Sequence, residues 1–400
     1  MYTFEEVLSY IEEEDVKFIR LAFFDIWGRQ RNVSIPPSEL KRAFEDGISF
    51  DASAVPGFGD EKQSDLFLHP DPSTLSPLPW RPSHGRVVKM YCDVRRPDGS
   101  PFEKDPRYIL KKAVSDLDEA GIRVDIGPEV EFYLFKTDEN GEPTKIPFDN
   151  AGYMDIAPDD KGENIRRGIC LTLNEMGIVT EASHHEEGPG QNEIDFRYSD
   201  ALSAADNTAT FKWAVKTVAV GNGLCADFSP KPLEGRAGNG MHINISVDSS
   251  DGRDLTDSFM AGIMNRIKEM TLFMNPTEDS YKRLGESKAP VYISWSPENR
   301  SQLIRIPAAK GRRRIELRSP DPMCNPYIAY ALIIRAGLEG IRRGAAPSEP
   351  VNENLYTADE SVTSKLEKLP LSLPEALEAA KNSDFIKEHL PSAYIEAFNI

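Results

Sequence analysis

The chain has 400 residues, enough for one large domain and a smaller one with an ample core. It is 40% hydrophobic and 28% charged, which is a globular balance and excludes a disordered chain. Its formal net charge of −18 argues against nucleic acid or an anionic membrane as a partner.

Residues 3–14 predict a short amphipathic helix, and "VKFIRLAFFDIWGRQRNVSIP" predicts two strands around a turn at Trp27–Gly28. "ELKRAFEDG" predicts a short helix closed by Gly47. The stretch "FDASAVPGFGDEKQSDLFLHPDPSTLSPLPWRPSHG" is rich in Pro, Ser and Gly and reads as one long irregular loop of functional or interfacial use. "RVVKMYCDV" is a further strand. The turn-rich "RRPDGSPFEKDPR" marks a boundary near residue 100, giving domains 1–100 and 101–400. Beyond it, "PRYILKKAVSDLDEAG" is helical, as are stretches near 160–177, 200–222, 256–273 and 325–343. Short strands lie between them without strict βαβ alternation, so the fold class is α+β.

Cys92, Cys170, Cys225 and Cys324 are scattered and form no CxxC pair, which suits a reducing cytoplasm. The acidic N-terminus has no signal-peptide pattern, and no apolar run approaches the roughly 20 residues that span a bilayer. Neither a Walker motif nor a full GxGxxG is present.

Four short segments place polar groups on one strand face, because side chains alternate along a strand. In "GPEVEFYLF" these are Glu129 and Glu131, followed by Tyr133 and Phe135. In "MHINISV" they are His242, Asn244 and Ser246; in "RIELRS", Arg314, Glu316 and Arg318; in "GQNEIDFRY", Glu193, Asp195 and Arg197. One such strand is ordinary, but four of them predict a sheet with a chemically active face. Glu129, Glu131, Glu186, Glu193 and Glu316 offer hard oxygen donors, and His242 adds one imidazole. That set suits Mg²⁺ or Mn²⁺ better than zinc. Converging carboxylates would repel without cations, so metal or arginines must accompany them. Arg283, Arg300, Arg305, Arg314 and Arg318 stand beside apolar strand residues, where their forks suit phosphate or carboxylate. Divalent metal and arginines without a P-loop predict phosphoryl transfer on another scaffold.

The stretches "FDIWGR", "FDAS", "SDLFLHPDPSTL", "GPEVEFYLF", "HHEEGPGQNE", "GNGMHINIS", "NPTEDSYKRL", "NRSQLIRIP" and "RIELRSPDPMCNPY" resemble the type I glutamine synthetase family, across nearly the whole chain. The resemblance implies a small N-terminal β-grasp domain and a large catalytic domain with a curved antiparallel sheet flanked by helices. It implies a homo-oligomer of two stacked six-membered rings, with each active site shared between neighbouring subunits. Its substrates would be ATP, L-glutamate and ammonium or another amine. One metal would be held by Glu131, Glu186 and Glu193, and a second by Glu129, His242 and Glu316. Arg283 and Arg318 would grip glutamate, with Gly238 in the loop beside it. Arg300, Arg305 and Arg314 would hold phosphates and stabilise the moving phosphoryl group, with Tyr198, Ser246 and Asn244 near the nucleotide. Asp51, reaching over from the adjacent subunit, would take a proton from ammonium.

The chain departs from the family on the amine side. In "RLGESKAP", Lys288 stands where the family has a site-closing Glu that helps bind ammonium. Two unit charges about 4 Å apart interact by about 4 kcal/mol at an effective dielectric of 20, so the reversal carries weight. Glu286 could take the acid's place if the loop shifted. Asn244 replaces the second histidine of an HxH strand, and Ala237 replaces an asparagine. "AYIEAFNI" stops short of the family's usual tail, and the surroundings of Tyr356 do not match those of relatives adenylylated nearby. Three readings follow: a glutamine synthetase, a ligase for a larger amine, or a weakly active protein that acts through a partner.

Overall fold

The computed structural model describes residues 2–60, 62, 64–81, 84–308 and 311–398. The first helix, Phe4–Glu13, begins where the sequence supplies a reciprocal cap. Thr3 N–H donates to the Glu6 carboxylate at 2.6 Å, and Glu6 N–H donates to Thr3 Oγ1 at 3.3 Å.

Strands β1 (Val16–Phe24), β2 (Gln30–Ile35), β3 (Ile48–Asp51), β4 (Asp65–Pro70), β5 (Ser76–Pro77) and β6 (Arg86–Arg95) make a first sheet. Its order is β2–β1–β6–β4–β3, with β5 beside β6. Strands β3 and β4 correct the sequence reading, which placed residues 50–85 in one irregular loop. β4 pairs with both β3 and β6, and it buries Leu66, Leu68 and Pro70 on one face. The flanking Pro and Ser residues concealed that alternation of period two.

The second sheet is built on one long strand. It contains β7 (Ile122–Thr137), β8 (Pro143–Pro147), β9 (Thr180–His185), β10 (Gln191–Phe196), β11 (Ser199–Asp200), β12 (Leu224–Asp227), β13 (Met241–Ser249), β14 (Trp295–Pro297), β15 (Ile304–Ile306) and β16 (Ile315–Leu317). The order is β14–β15–β16–β13–β7–β10–β9, and β8, β11 and β12 also pair with β7. Val130, Phe132 and Leu134 are buried on one face of β7, where Phe132 meets Phe211 of the helix Ala201–Gly221 at 6.2 Å between ring centroids. Tyr133 and Phe135, on the face of the two glutamates, are also fully buried and stack at 5.6 Å. That face is therefore lined and not simply solvated. The helices Pro106–Glu119, Thr256–Met274 and Pro326–Arg343 start and end within one or two residues of the sequence expectation. Asp105 and Asn325 cap two of them, each accepting the N–H two residues on.

The first sheet packs closely against the helix Pro326–Arg343 and its cap. Phe24 of β1 meets Tyr327 at 4.6 Å. Gly28, at φ +74°, lies under Asn325, whose Cγ would be 2.8 Å from any Cβ at that position. Asn325 also donates to the Ile26 carbonyl at 3.1 Å. The glycine of "FDIWGR" is thus required by its backbone conformation and by the contact.

Candidate active site

Strand pairing brings the acids together. Across β9, β10 and β7, His184 faces Glu193, and Glu193 faces Glu131. In the next row Asp195 faces Glu129, which faces His242 of β13. In the third, Gly127 faces Asn244, Asn244 faces Glu316 of β16, and Glu316 faces Arg305 of β15. Like charges placed directly opposite one another are destabilising. The sheet keeps two such pairs, Glu131 with Glu193 and Glu129 with Asp195.

The first two rows floor a cavity of about 390 Å³. Its walls carry the carboxylates of Glu129, Glu131, Glu186, Glu187, Glu193 and Asp195, with Arg283, Lys288, Arg300 and Arg318 as counter-charges. Ligand-type atoms of Glu129, His242 and Glu316 lie within 4.8 Å of one another. So do those of Glu131, Glu193 and His242, and those of His184, Glu186 and Glu193.

The cavity's acids are poorly neutralised. Burial, and then the charge of Glu186, pushes the Glu131 carboxyl up to about 8. Burial pushes Glu193 well up, helped by Asp195 and Glu131, and pushes Asp195 up to about 7. Asp195 Oδ1 is buried and has no hydrogen-bond partner among the described residues. Glu129 differs: burial works against its charge, but hydrogen bonds from His242 and Asn244 outweigh it and bring the carboxyl down to about 2. Burial, with Arg318 beside it, lowers His242 and favours the neutral imidazole. Buried, poorly neutralised carboxylates next to a neutral imidazole fit a divalent cation.

Second contacts hold the donors in place. Glu131 Oε2 accepts from Gly240 N–H at 2.7 Å and from Gln191 Nε2 at 3.2 Å. Gly240 admits no side chain, since a Cβ would fall 2.7 Å from Arg283 Nη2 and 2.8 Å from His242 Nε2. The turn after β9 is anchored from behind by Asp149, which meets His185 Nε2 at 2.9 Å and accepts from Gly190 N–H at 2.9 Å. Glu316 is fully buried between Arg305 and Arg318, with both its oxygens ion-paired. Arg283, also buried, donates to the Ser319 carbonyl at 2.8 Å.

Glu129, Glu131, Glu186, Glu193, His242, Arg283, Arg300, Arg318, Gly238 and Lys288 all line the cavity. Glu316 and Arg305 stand just beyond it. Asn244 bridges outward from it, donating to Glu129 at 2.8 Å and accepting from Arg314 Nε at 3.0 Å. Ser246 continues that row opposite Asp125, and Tyr198 packs against Gly127 with its side chain largely exposed. Asp51 lies elsewhere, exposed at the end of β3 and accepting from Ser53 Oγ at 2.6 Å. That hydrogen bond holds its carboxyl below the usual range. Glu286 does not line the cavity and pairs with Lys231 at 2.8 Å, so the expectation that it could replace the family's acid finds no support in the loop's position.

Sequence reasoning passed over Tyr153, His184, Glu187 and Gln191, all in the cavity wall. Gln191 was open to detection, since it shares the strand face of Glu193 two residues on. Tyr153 and Glu187 come from loops, where no periodicity marks them.

A carboxylate floor with arginines converging above it defines a class of site, one that takes divalent cations and an anionic substrate together. The description "Glutamine synthetase, beta-Grasp domain" matches residues 15–97, and "Glutamine synthetase, catalytic domain" matches residues 103–399. A glutamine synthetase of Methanosarcina mazei is 47% identical over 97% of this chain and 90% of its own length. One of Clostridium saccharobutylicum is 45% identical over 97% and 91%. Among solved structures, "GmaS/ADP complex-Conformation 1" superimposes with a TM-score of 0.88 at 31% identity, covering 98% of this chain and 93% of that one. The chain belongs to the glutamine synthetase family.

Proposed function

We infer that the chain joins ammonia to the side-chain carboxylate of L-glutamate at the expense of ATP, giving glutamine, ADP and phosphate. The observation that carries this reading is the cavity of buried, under-neutralised carboxylates faced by buried arginines, in a chain of this family.

Glu131, Glu186 and Glu193 would hold one divalent cation, and Glu129, His242 and Glu316 a second. Bound there, Mg²⁺ or Mn²⁺ supplies positive charge to the acids and to the phosphates of ATP. Arg283 and Arg318 hold the glutamate, with Gly238 leaving room beside Arg283. Arg300, Arg305 and Arg314 hold phosphate oxygens and favour the charge of the moving phosphoryl group. Tyr198, Ser246 and Asn244 continue the same sheet face outward and receive the rest of the nucleotide.

A glutamate oxygen displaces ADP from the terminal phosphorus, which makes a γ-glutamyl phosphate. Ammonia then attacks the acyl carbon, and phosphate leaves with the C–O bond pair. Asp51, kept ionised by Ser53, takes the proton from ammonium. By the family resemblance, Asp51, exposed at the end of β3, would serve a neighbouring subunit in an assembly of two six-membered rings. The four cysteines are free thiols, which agrees with the cytoplasm, and no helix among the described residues is long and apolar enough to cross a membrane.

Glutamate-dependent ADP release, measured across a panel of amines, tests the reading. Release with ammonium supports it. Release only with a larger amine favours the second reading, which Lys288 in the cavity wall makes specific. Mixing inactive Asp51→Ala and Glu131→Ala proteins should restore some activity after subunit exchange. No recovery in verified mixed oligomers would count against a shared site.

A further inference from the structure

In the cavity wall an ammonium of the chain itself sits between a carboxylate and an aromatic ring. The Lys288 ammonium is ion-paired with Glu187 and lies 5.3 Å from the centroid of the Tyr153 ring. Tyr153 is in turn packed edge-on against His184, centroids 5.4 Å apart, so the ring's position is set by the site. A carboxylate beside an aromatic face is a recognised arrangement for binding an ammonium group.

The loop goes to some length to place Lys288 there. Ser287 and Lys288 have φ of +43° and +67°, in the left-handed region that residues with side chains avoid. Gly285 N–H donates to the Ala289 carbonyl at 3.0 Å, and Arg318 Nη2 donates to the Lys288 carbonyl at 3.4 Å. The neighbouring Glu286 is tied to Lys231 at 2.8 Å. Strain in the backbone is thus held by contacts on both sides of the loop.

We propose that Lys288 is a tethered competitor of the amine substrate. Its ammonium occupies the seat between Tyr153 and Glu187, and an ammonium ion is admitted only when Lys288 swings out. The proposal rests on the ligase reading above and deepens it, since it makes Lys288 a determinant of amine affinity. The side chains of Lys288 and Glu187 are 49% and 37% exposed, so the pairing is weak and exchange is easy. The expected effect of removing the charge is therefore modest, about three- to tenfold.

Lys288→Met keeps the length of the side chain and removes its charge. The ammonium KM should fall about three- to tenfold, more than kcat or the glutamate KM changes, while Lys288→Arg keeps the wild-type value. An ammonium KM that is unchanged or raised in Lys288→Met overturns the proposal. A second measurement does not depend on turnover. Thallium(I), an ammonium-sized cation, located by anomalous diffraction, should appear between Tyr153 and Glu187 in Lys288→Met and not in the wild type. Thallium in the wild-type seat beside Lys288, or none in the variant, also overturns it. If neither protein forms ADP with glutamate and any amine, the ligase reading fails, and the thallium result decides the seat alone.

Discussion

Two clusters of buried charge sit in this molecule, and they differ in how their charges are matched. At the junction of the two sheets, Arg107 is 1% exposed and pairs with Asp71 at 2.8 Å, Asp93 at 2.8 Å and Asp206 at 3.0 Å. Asp93 also meets Lys111 at 2.6 Å, and Asp206 accepts from Tyr327 Oη at 2.6 Å. Burial pushes Asp71 up, but Arg107 and Ser73 outweigh it and hold its carboxyl below the usual range. In the cavity, by contrast, Glu131, Glu193 and Asp195 are all pushed up. The junction completes its charges from within the chain, and the cavity leaves its own incomplete. That difference separates a cluster that supports the fold from one that awaits ligands.

The largest effect should come from breaking the junction. Arg107→Leu leaves three aspartates without their shared partner and should cost about 3–5 kcal/mol of stability. Urea unfolding would measure it, and a loss below about 1 kcal/mol would mean that the cluster relaxes without its arginine. The cavity should respond in the opposite way. Glu131→Ala removes a carboxyl whose charged form burial already disfavours, so the fold should survive while ADP formation falls at least about a hundredfold, or about 2.7 kcal/mol. Near-normal turnover would take Glu131 out of the ligand set.

Divalent metal should likewise stabilise one cluster and not the other. At a hundred times its Kd, Mg²⁺ or Mn²⁺ should add about 2.7 kcal/mol to the wild type and clearly less to Glu131→Ala. Thermal unfolding with and without metal would show it; an equal gain in both proteins would place the binding elsewhere. The smallest expected effect concerns Lys89, a discordant member of the junction. Burial lowers its ammonium to about 7, although it rests 3.5 Å from the Tyr91 ring centroid. Between pH 7 and the unfolded value of 10.5 the unfolded chain holds a proton that the native state does not. Stability attributable to Lys89 therefore rises with pH across that window. Lys89→Met should flatten the rise and raise stability at pH 7. A pH–stability curve with the same slope in both proteins would contradict this.

The sequence made the strand faces legible, because alternation along "EVEF", "MHINIS" and "RIEL" needs only the next few residues. It also made the helix starts legible, since Thr3, Asp105 and Asn325 cap locally. Register was not legible. Nothing near Glu193 in the chain says that it will face Glu131, because that pairing joins segments some sixty residues apart. The loop residues Tyr153 and Glu187 were hidden for the same reason, and β4 was hidden by the prolines around it. The junction was missed altogether, as Asp71, Asp93, Arg107 and Asp206 are distributed over four elements with no motif in common.

The long strand β7 has a consequence for how the chain acquires its site. Its partners β10 and β13 arrive tens of residues later in the chain, and β16, which completes the third row, ends at Leu317. Such non-local pairing folds slowly, because chain entropy is lost before contacts repay it. During synthesis, β7 emerges with its glutamates long before Glu316 exists. The acids of β7 can then remain hydrated, and their repulsion with Glu193 and Asp195 is confronted only when β10 docks on β7.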